Sequence, residues 1–309
     1  MSNKIDNLEE VIHKITEQVT SRLRSMGLTS TATARAVASE IASSIVNTNT
    51  STKRENDAPK VPATIGKILN SGASRIGHHG DVSAGEIDTK LAAMIDHTLL
   101  KPDATREELI KLCEEAKQYH FATCCVNSSN IPLVAQLLKG STVKPIAVVG
   151  FPLGAATIQS KVFEAREAIA NGAQEIDMVI NIGAMKSKDY KLVFEDIQKV
   201  VEASKPHKVK VILETSNLEH DEKIAGCVLA KAAGAAFVKT STGFGKGGAT
   251  IEDVELMKKI VGGDMEVKAS GGIRSKEDAE AMVKHGASRV GASASIEIVM
   301  GKKTKAGTY

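Results

Sequence analysis

Residues 175–214 read EIDMVINIGAMKSKDYKLVFEDIQKVVEASKPHKVKVILE. The stretch opens on an apolar, β-branched run, Glu175–Asn181, and closes on another, Lys208–Glu214. Between them Lys188–Ala203 carries apolar residues at helical spacing. Strand, helix, strand in this order is what a parallel crossover requires. Outward from it the same alternation recurs. Further runs are Met94–Thr98, Phe121–Val126, Pro145–Gly150, Ala236–Thr240, Glu266–Ser270 and Ser288–Gly291. Helical periods cover Arg106–Gln118, Ile131–Leu138, Thr157–Asn171, Glu219–Ala233, Ile251–Val261, Lys276–His285 and Ser293–Met300. Apolar strands joined by helices imply an α/β fold with a parallel sheet covered on its outer face. The count of eight predicts a closed (β/α)8 TIM barrel over residues 86–301. A doubly wound open sheet is the alternative, but its GxGxxG fingerprint is missing after the first run.

The rest of the chain differs in character. Ile5, Leu8, Ile12, Ile15, Val19, Leu23 and Met26 recur at steps of three or four, which places one apolar stripe on a helix. Gly27 ends it, and an Ala-rich helical stretch follows over Thr31–Val46. Residues 1–46 therefore read as an amphipathic helical extension. Residues 47–60 hold no large apolar side chain, so 47–85 read as a polar, partly disordered linker with a short helix near Ala63–Leu69. Gly72–Gly77 nearly repeats Gly286–Gly291, which is read as chance or shared turn geometry. Residues 302–309 form a tail ending in Tyr309.

Composition excludes several classes. The 309 residues are 42% hydrophobic and 25% charged, the balance of a soluble globular enzyme. A net charge of +3 and 3% aromatic residues, with no Trp, leave no basic face or base-stacking platform for nucleic acid. No apolar run is long enough for a membrane span, and the start lacks a secretory apolar core. Four cysteines without CxxC spacing point to a reducing, cytoplasmic compartment. No His spacing suggests a metal, and no cofactor is expected.

In a barrel of this kind the active site forms at the C-terminal ends of the strands. Five runs carry a charge where an apolar residue is expected: Asp96, Asp177, Glu214, Lys239 and Lys268. Isolated buried charges are costly, so these must pair, shift pKa or line a cavity. The plainer reading is a set of strand-end charges reaching solvent. Lys239 and Lys268, on adjacent runs, are the sharpest feature. An amine is nucleophilic only when neutral, and burial beside a second ammonium lowers its pKa. Such a pair near a carboxylate makes a Schiff-base site; the alternative is structural salt bridging to Asp177 and Glu214. Glycine-rich turns at Gly243–Gly248, Gly271–Gly272 and Gly291–Ser293 sit where barrels often bind phosphate through backbone N–H groups. His97 reads as a packed core residue, and Cys125 as a pocket-facing thiol without a base.

Together these motifs resemble the deoxyribose-phosphate aldolase family. The match runs from about Ile87 to Met300: Ile95–Thr105, Val148–Gly154, Glu175–Ala184, Val211–Ser216, Phe237–Phe244, Val267–Arg274 and Arg289–Ser293. The resemblance implies that Lys239 forms the Schiff base, Lys268 tunes it, and Asp177 moves protons through a water. It implies that Asp96 and Thr98 hold substrate hydroxyls, and that Gly243, Gly271, Gly272, Gly291 and Ser293 hold the phosphate. The expected substrate is a phosphorylated sugar, cleaved without metal to glyceraldehyde 3-phosphate and acetaldehyde. Two positions depart from the family: Ala294 replaces a serine, and Ser128 a proline. Another class I aldolase, a sugar-phosphate isomerase and an inactive cargo barrel are the competing readings. The stripe over residues 5–26 resembles an encapsulation peptide of a bacterial microcompartment, which implies docking on a shell or cargo protein. Homo-oligomerisation through a helix pair, or packing of that helix on the barrel, are the alternatives. No nucleic acid and no membrane are expected as partners.

Overall fold

The computed structural model describes residues 13–21 and 87–301. Within the latter, eight parallel strands close into a barrel in sequence order. They are β1 Ile95–Leu99, β2 Thr123–Val126, β3 Lys144–Val149, β4 Glu175–Val179, β5 Lys208–Ile212, β6 Phe237–Lys239, β7 Glu266–Ser270 and β8 Arg289–Ala292. Pairing of β1 with β8, Asp96 opposite Gly291, closes the ring and excludes the open sheet.

Helix α1 covers residues 13–21. Then come α2 Thr89–Ala92, α3 Arg106–Tyr119, α4 Ile131–Leu137, α5 Ile158–Ala170, α6 Ile182–Lys186, α7 Tyr190–Ser204, α8 His220–Ala232, α9 Ile251–Val261, α10 Lys276–Lys284 and α11 Ser295–Val299. Thr105 and Ser275 start α3 and α10 with capping boxes, each hydroxyl accepting an amide hydrogen three residues on. The helix expected over Lys188–Ala203 is α7, and the short α6, not expected from sequence, precedes it. Asn181 caps the short α6 by accepting from the Ala184 amide, and Lys188, at φ 56°, breaks the chain before α7.

Strand periodicity decides where the core sits. Side chains alternate between the faces of a strand. Ile95, Cys124, Ala147, Ile176, Met178, Val209, Val211, Val238, Val267 and Val290 point outward, and all belong to the main apolar cluster beneath the helices. Each large side chain so buried contributes about 1.5–3 kcal/mol. The intervening residues point inward, and only Cys125, Ile146 and Val148 among them join a small apolar cluster, with Leu100. Much of the rest of the barrel interior is charged, around the fully buried ring of Phe237. In α1, Ile15 and Val19 are buried and belong to the same main cluster as the barrel residues. The other stripe positions, the Ala-rich stretch, the linker, the near-repeat at Gly72–Gly77 and Tyr309 lie outside the described residues.

Candidate active site

A cavity of about 620 Å³ opens at the C-terminal mouth of the barrel. Its floor is Lys239, the last residue of β6, whose inward direction follows from Val238 packing outward. Lys239 is 2% exposed, and its Nζ donates to Asp177 Oδ2 at 2.9 Å. Lys268, opposite it in register on β7, donates to the same oxygen at 2.8 Å and pairs with Asp96 Oδ2 at 2.5 Å. The two lysines and Asp177 predicted from sequence are therefore brought together. Gly291 allows this: a Cβ there would lie 3.0 Å from Lys268 Cε.

Three further side chains complete the charged interior, and sequence reading missed all of them. Lys210 on β5 is fully buried and donates to Glu175 Oε2 at 2.5 Å and to Asp177 Oδ1 at 3.0 Å. Arg289 on β8 donates to Asp96 Oδ1 at 2.6 Å and to Glu175 Oε2 at 3.4 Å. Thr123 also donates to Asp96 Oδ1, at 2.7 Å. Glu175 and Lys210 each lie two residues from another inward charge or in register with one, Glu175 before Asp177 and Lys210 opposite Asp177. Period two, applied inward from the strand ends, was the signal that would have found them.

Electrostatics follow from this packing. Burial and the neighbouring Lys268 ammonium pull the Lys239 pKa below the usual lysine value, against the opposing pull of Asp177. For Lys268, burial acts the same way, but Asp177 and Asp96 outweigh it and the net shift is upward. Burial pushes the Asp177 carboxyl up, yet Lys210, Lys239 and Lys268 together hold it well below the usual range. The two amines thus diverge: one holds its proton firmly and the other gives it up more readily. Burial raises the Cys125 thiol, which removes it as a ready nucleophile.

The remaining predicted residues divide between the cavity and its supports. Thr98, Gly271, Gly291 and Ser293 line the cavity; Gly243 and Gly272 do not. Asp96 sits beneath Lys268, 0% exposed, with both oxygens engaged. Thr98 donates its hydroxyl to the Asp96 carbonyl at 2.8 Å. Glu214 lies beyond β5 at φ 55° and accepts from the Thr242 hydroxyl and amide, so it anchors the loop after β6 and does not line the cavity. His97 faces outward, between Glu115 and Ser295, each 2.9 Å away. Ser295 in turn donates to the Ala292 carbonyl at 2.9 Å, which ties the β8 turn to β1. Ala294 is the cap residue of α11 and supplies no side-chain bond. Ser128 donates to Glu164, which also accepts from the Gly150 amide.

The chain is similar to known aldolases. A deoxyribose-phosphate aldolase from Clostridium perfringens is 59% identical over 214 residues, covering 69% of this chain and 96% of the relative. The protein of that name from Caldanaerobacter subterraneus subsp. tengcongensis is 58% identical over 212 residues, covering 68% and 92%. Among solved structures, the tetrameric deoxyribose phosphate aldolase of Aeropyrum pernix superposes with a TM-score of 0.64 at 33% identity, covering 68% of this chain and 90% of that one. An aldolase designated QR15 gives 0.65 at 38% identity, covering 68% and 94%. Residues 90–305 match the family described as DeoC/LacD family aldolase, and the chain is a member of that family.

Proposed function

We propose that this enzyme catalyses reversible cleavage of 2-deoxy-D-ribose 5-phosphate to D-glyceraldehyde 3-phosphate and acetaldehyde through a Schiff base on Lys239. The carrying observation is a buried amine at the cavity floor, bonded to an ionised carboxylate and depressed in pKa. Neutral Lys239 adds to C1 of the open-chain aldehyde, and loss of water leaves a protonated imine. A base removes the C3 hydroxyl proton, the C2–C3 bond breaks, and its electron pair enters the iminium to give an enamine. Asp177, through a water, is the proton acceptor, and Lys268 keeps Asp177 ionised. Glyceraldehyde 3-phosphate departs, the enamine is protonated at C2, and water releases acetaldehyde from Lys239.

The backbone N–H groups at Gly271 and Gly291 and the Ser293 hydroxyl, with Gly243 and Gly272 behind them, form the phosphate subsite. Remote binding energy there positions C3 over the catalytic groups. Asp96 and Thr98 order the hydroxyl end through the β1 backbone. Borohydride reduction in the presence of acetaldehyde, followed by peptide mapping, tests the reading. The expected result is an ethyl adduct on Lys239. An unlabelled Lys239, or a Lys239→Ala variant that still cleaves substrate, ends it. A panel of donor aldehydes separates this specificity from that of other Schiff-base aldolases.

We further propose a division of the chain: residues 86–301 catalyse, and residues 1–46, joined by a 47–85 linker, serve location or assembly. The enzyme is assigned to the cytoplasm. The stripe over residues 5–26 supports helix-in-groove docking on a microcompartment shell or cargo protein. Burial of Ile15 and Val19 supports a second reading, in which the helix packs on its own barrel. Deleting residues 1–60 separates them. Intact catalysis with lost co-localisation supports docking, and lost folding or activity supports packing. The tetrameric relative supports a homo-oligomer, which light scattering on the full chain would test.

A further inference from the structure

The charges inside the barrel form a closed circuit. From Asp177 it passes to Lys210, Glu175, Arg289, Asp96 and Lys268, and returns to Asp177. Each of the three cations touches two carboxylates, and each carboxylate touches two of these cations. The circuit is neutral by itself. Lys239 hangs outside it on an Asp177 oxygen that Lys268 already occupies. A proton on Lys239 is therefore an added charge that shares its counterion, Asp177, with Lys268 and Lys210.

We propose that the lower arc of this circuit, Lys210 and Glu175 with Arg289, consists of positioning residues that set the protonation of Lys239 without touching substrate. The inference rests on Lys239 being the Schiff-base amine. Lys210 and Glu175 lie below Asp177, away from the cavity, and neither lines it. Phe237, two residues before Lys239, is fully buried beneath them. Lys210 Nζ and the Arg289 guanidinium lie 5.4 and 5.6 Å from its ring centroid, so the ring face favours their charged forms. With water excluded, one charge added to or removed from this arc is felt at Lys239 more strongly than at a surface.

The charged surroundings of Lys239 are set by every inward strand. Asp96 comes from β1, Cys125 from β2, Glu175 and Asp177 from β4, Lys210 from β5, Lys268 from β7 and Arg289 from β8. β3 contributes Ile146 and Val148 and, from its half-exposed first residue, Lys144, whose Nζ lies 3.6 Å from Glu175 Oε1. Beyond the strands, Glu214 is held by Thr242, and Lys101 at the mouth pairs with Glu108 at 2.6 Å. Of these, Lys210 and Glu175 are a directly paired cation and anion, neither of which lines the cavity.

The two therefore make opposite predictions. Lys210→Met removes a positive charge, so Lys239 keeps its proton to higher pH. Glu175→Gln removes a negative charge and frees Lys210 onto Asp177, so Lys239 loses its proton at lower pH. The readout is the rate of acetaldehyde trapping on Lys239 by cyanoborohydride, followed by peptide mass as a function of pH in the full chain. The acidic limb should move up by about one pH unit in Lys210→Met and down by a similar amount in Glu175→Gln. On that limb each unit is a tenfold change in trapping rate. The double variant should return towards the parent limb. If Lys210→Met does not fold, the downward shift in Glu175→Gln carries the test alone. Limbs that stay put, or that move the same way in both variants, overturn the proposal, since a merely structural role lowers rates without moving the limb in opposite senses. Absence of any Lys239 adduct in the parent enzyme overturns the aldolase reading itself, an outcome distinct from an adduct whose limb does not move.

Discussion

Asp177 receives three lysines on two oxygens and is 0% exposed, so its substitution tests both chemistry and stability. Asp177→Asn removes the proton acceptor and should lower kcat by about 10²–10⁴-fold. It also strands buried ammonium groups, at a cost of about 3 kcal/mol, read from urea unfolding. Loss of rate without loss of stability would show that the lysines have other counterions. The pH dependence has a fixed sign. For Asp96, Glu175 and Asp177, burial raises the carboxyl pKa but cations outweigh it, and the folded values lie below the unfolded ones. Their stabilisation is whole above about pH 4 and drains away as pH falls through the lower folded values. Asp177→Asn should therefore flatten the acid side of the stability profile; an unchanged slope between pH 5 and about 2 contradicts this. Lys239, Lys268 and Asp177 were legible in sequence because each interrupts an apolar strand. Glu175, Lys210 and Arg289 interrupt strands equally, but they start them or lie low in them, where a charge also fits a loop junction.

At the scale of elements, the eight strands and the helices that link them were readable in order, because outward apolar residues alternate with inward ones and helices such as α3, α5, α9 and α10 start at a Ser or Thr cap; the short α2 and α6 were not. Boundaries moved by one or two residues where a run outlasts its strand pairing, as at Glu214, which turns away to hold Thr242 in the loop after β6. The split between α6 and α7 was hidden because Lys188 adopts a left-handed backbone that its residue type does not announce. The glycine turns were legible as a site, but their mutual packing was not. A Cβ on Gly248 would come within 2.3 Å of the Gly271 carbonyl oxygen. Gly248→Ala should displace the turn after β7 and raise KM for the sugar phosphate by at least about tenfold, which is 1.4 kcal/mol of binding. Unphosphorylated 2-deoxyribose should be cleaved as slowly as by the parent. Equal losses on both substrates would remove these turns from phosphate recognition.

For the whole molecule, the count of eight units predicted closure, and the barrel is closed. Composition did not reveal that its interior is ionic while the apolar core lies outside the strands, since that depends on which face each residue takes. Residues 13–21 of the N-terminal stripe form a helix, but nothing in the spacing says what covers it. Ile15 and Val19 belong to the main cluster. Ile15→Ala combined with Val19→Ala should therefore destabilise the enzyme by about 2–5 kcal/mol in thermal unfolding of the full chain. An unchanged Tm would mean that this helix spends its time off the barrel.

Phe237 and the ionic circuit fill the barrel beneath Lys239, and the cavity above it opens at the C-terminal mouth. Traffic through that mouth must queue. The phosphorylated fragment lies nearer the exit and goes first; the two-carbon fragment stays tethered until water follows the same route inward. Acetaldehyde should then compete with the sugar phosphate in initial-rate inhibition, while glyceraldehyde 3-phosphate should inhibit noncompetitively. The reverse pattern would mean that the two-carbon fragment leaves first.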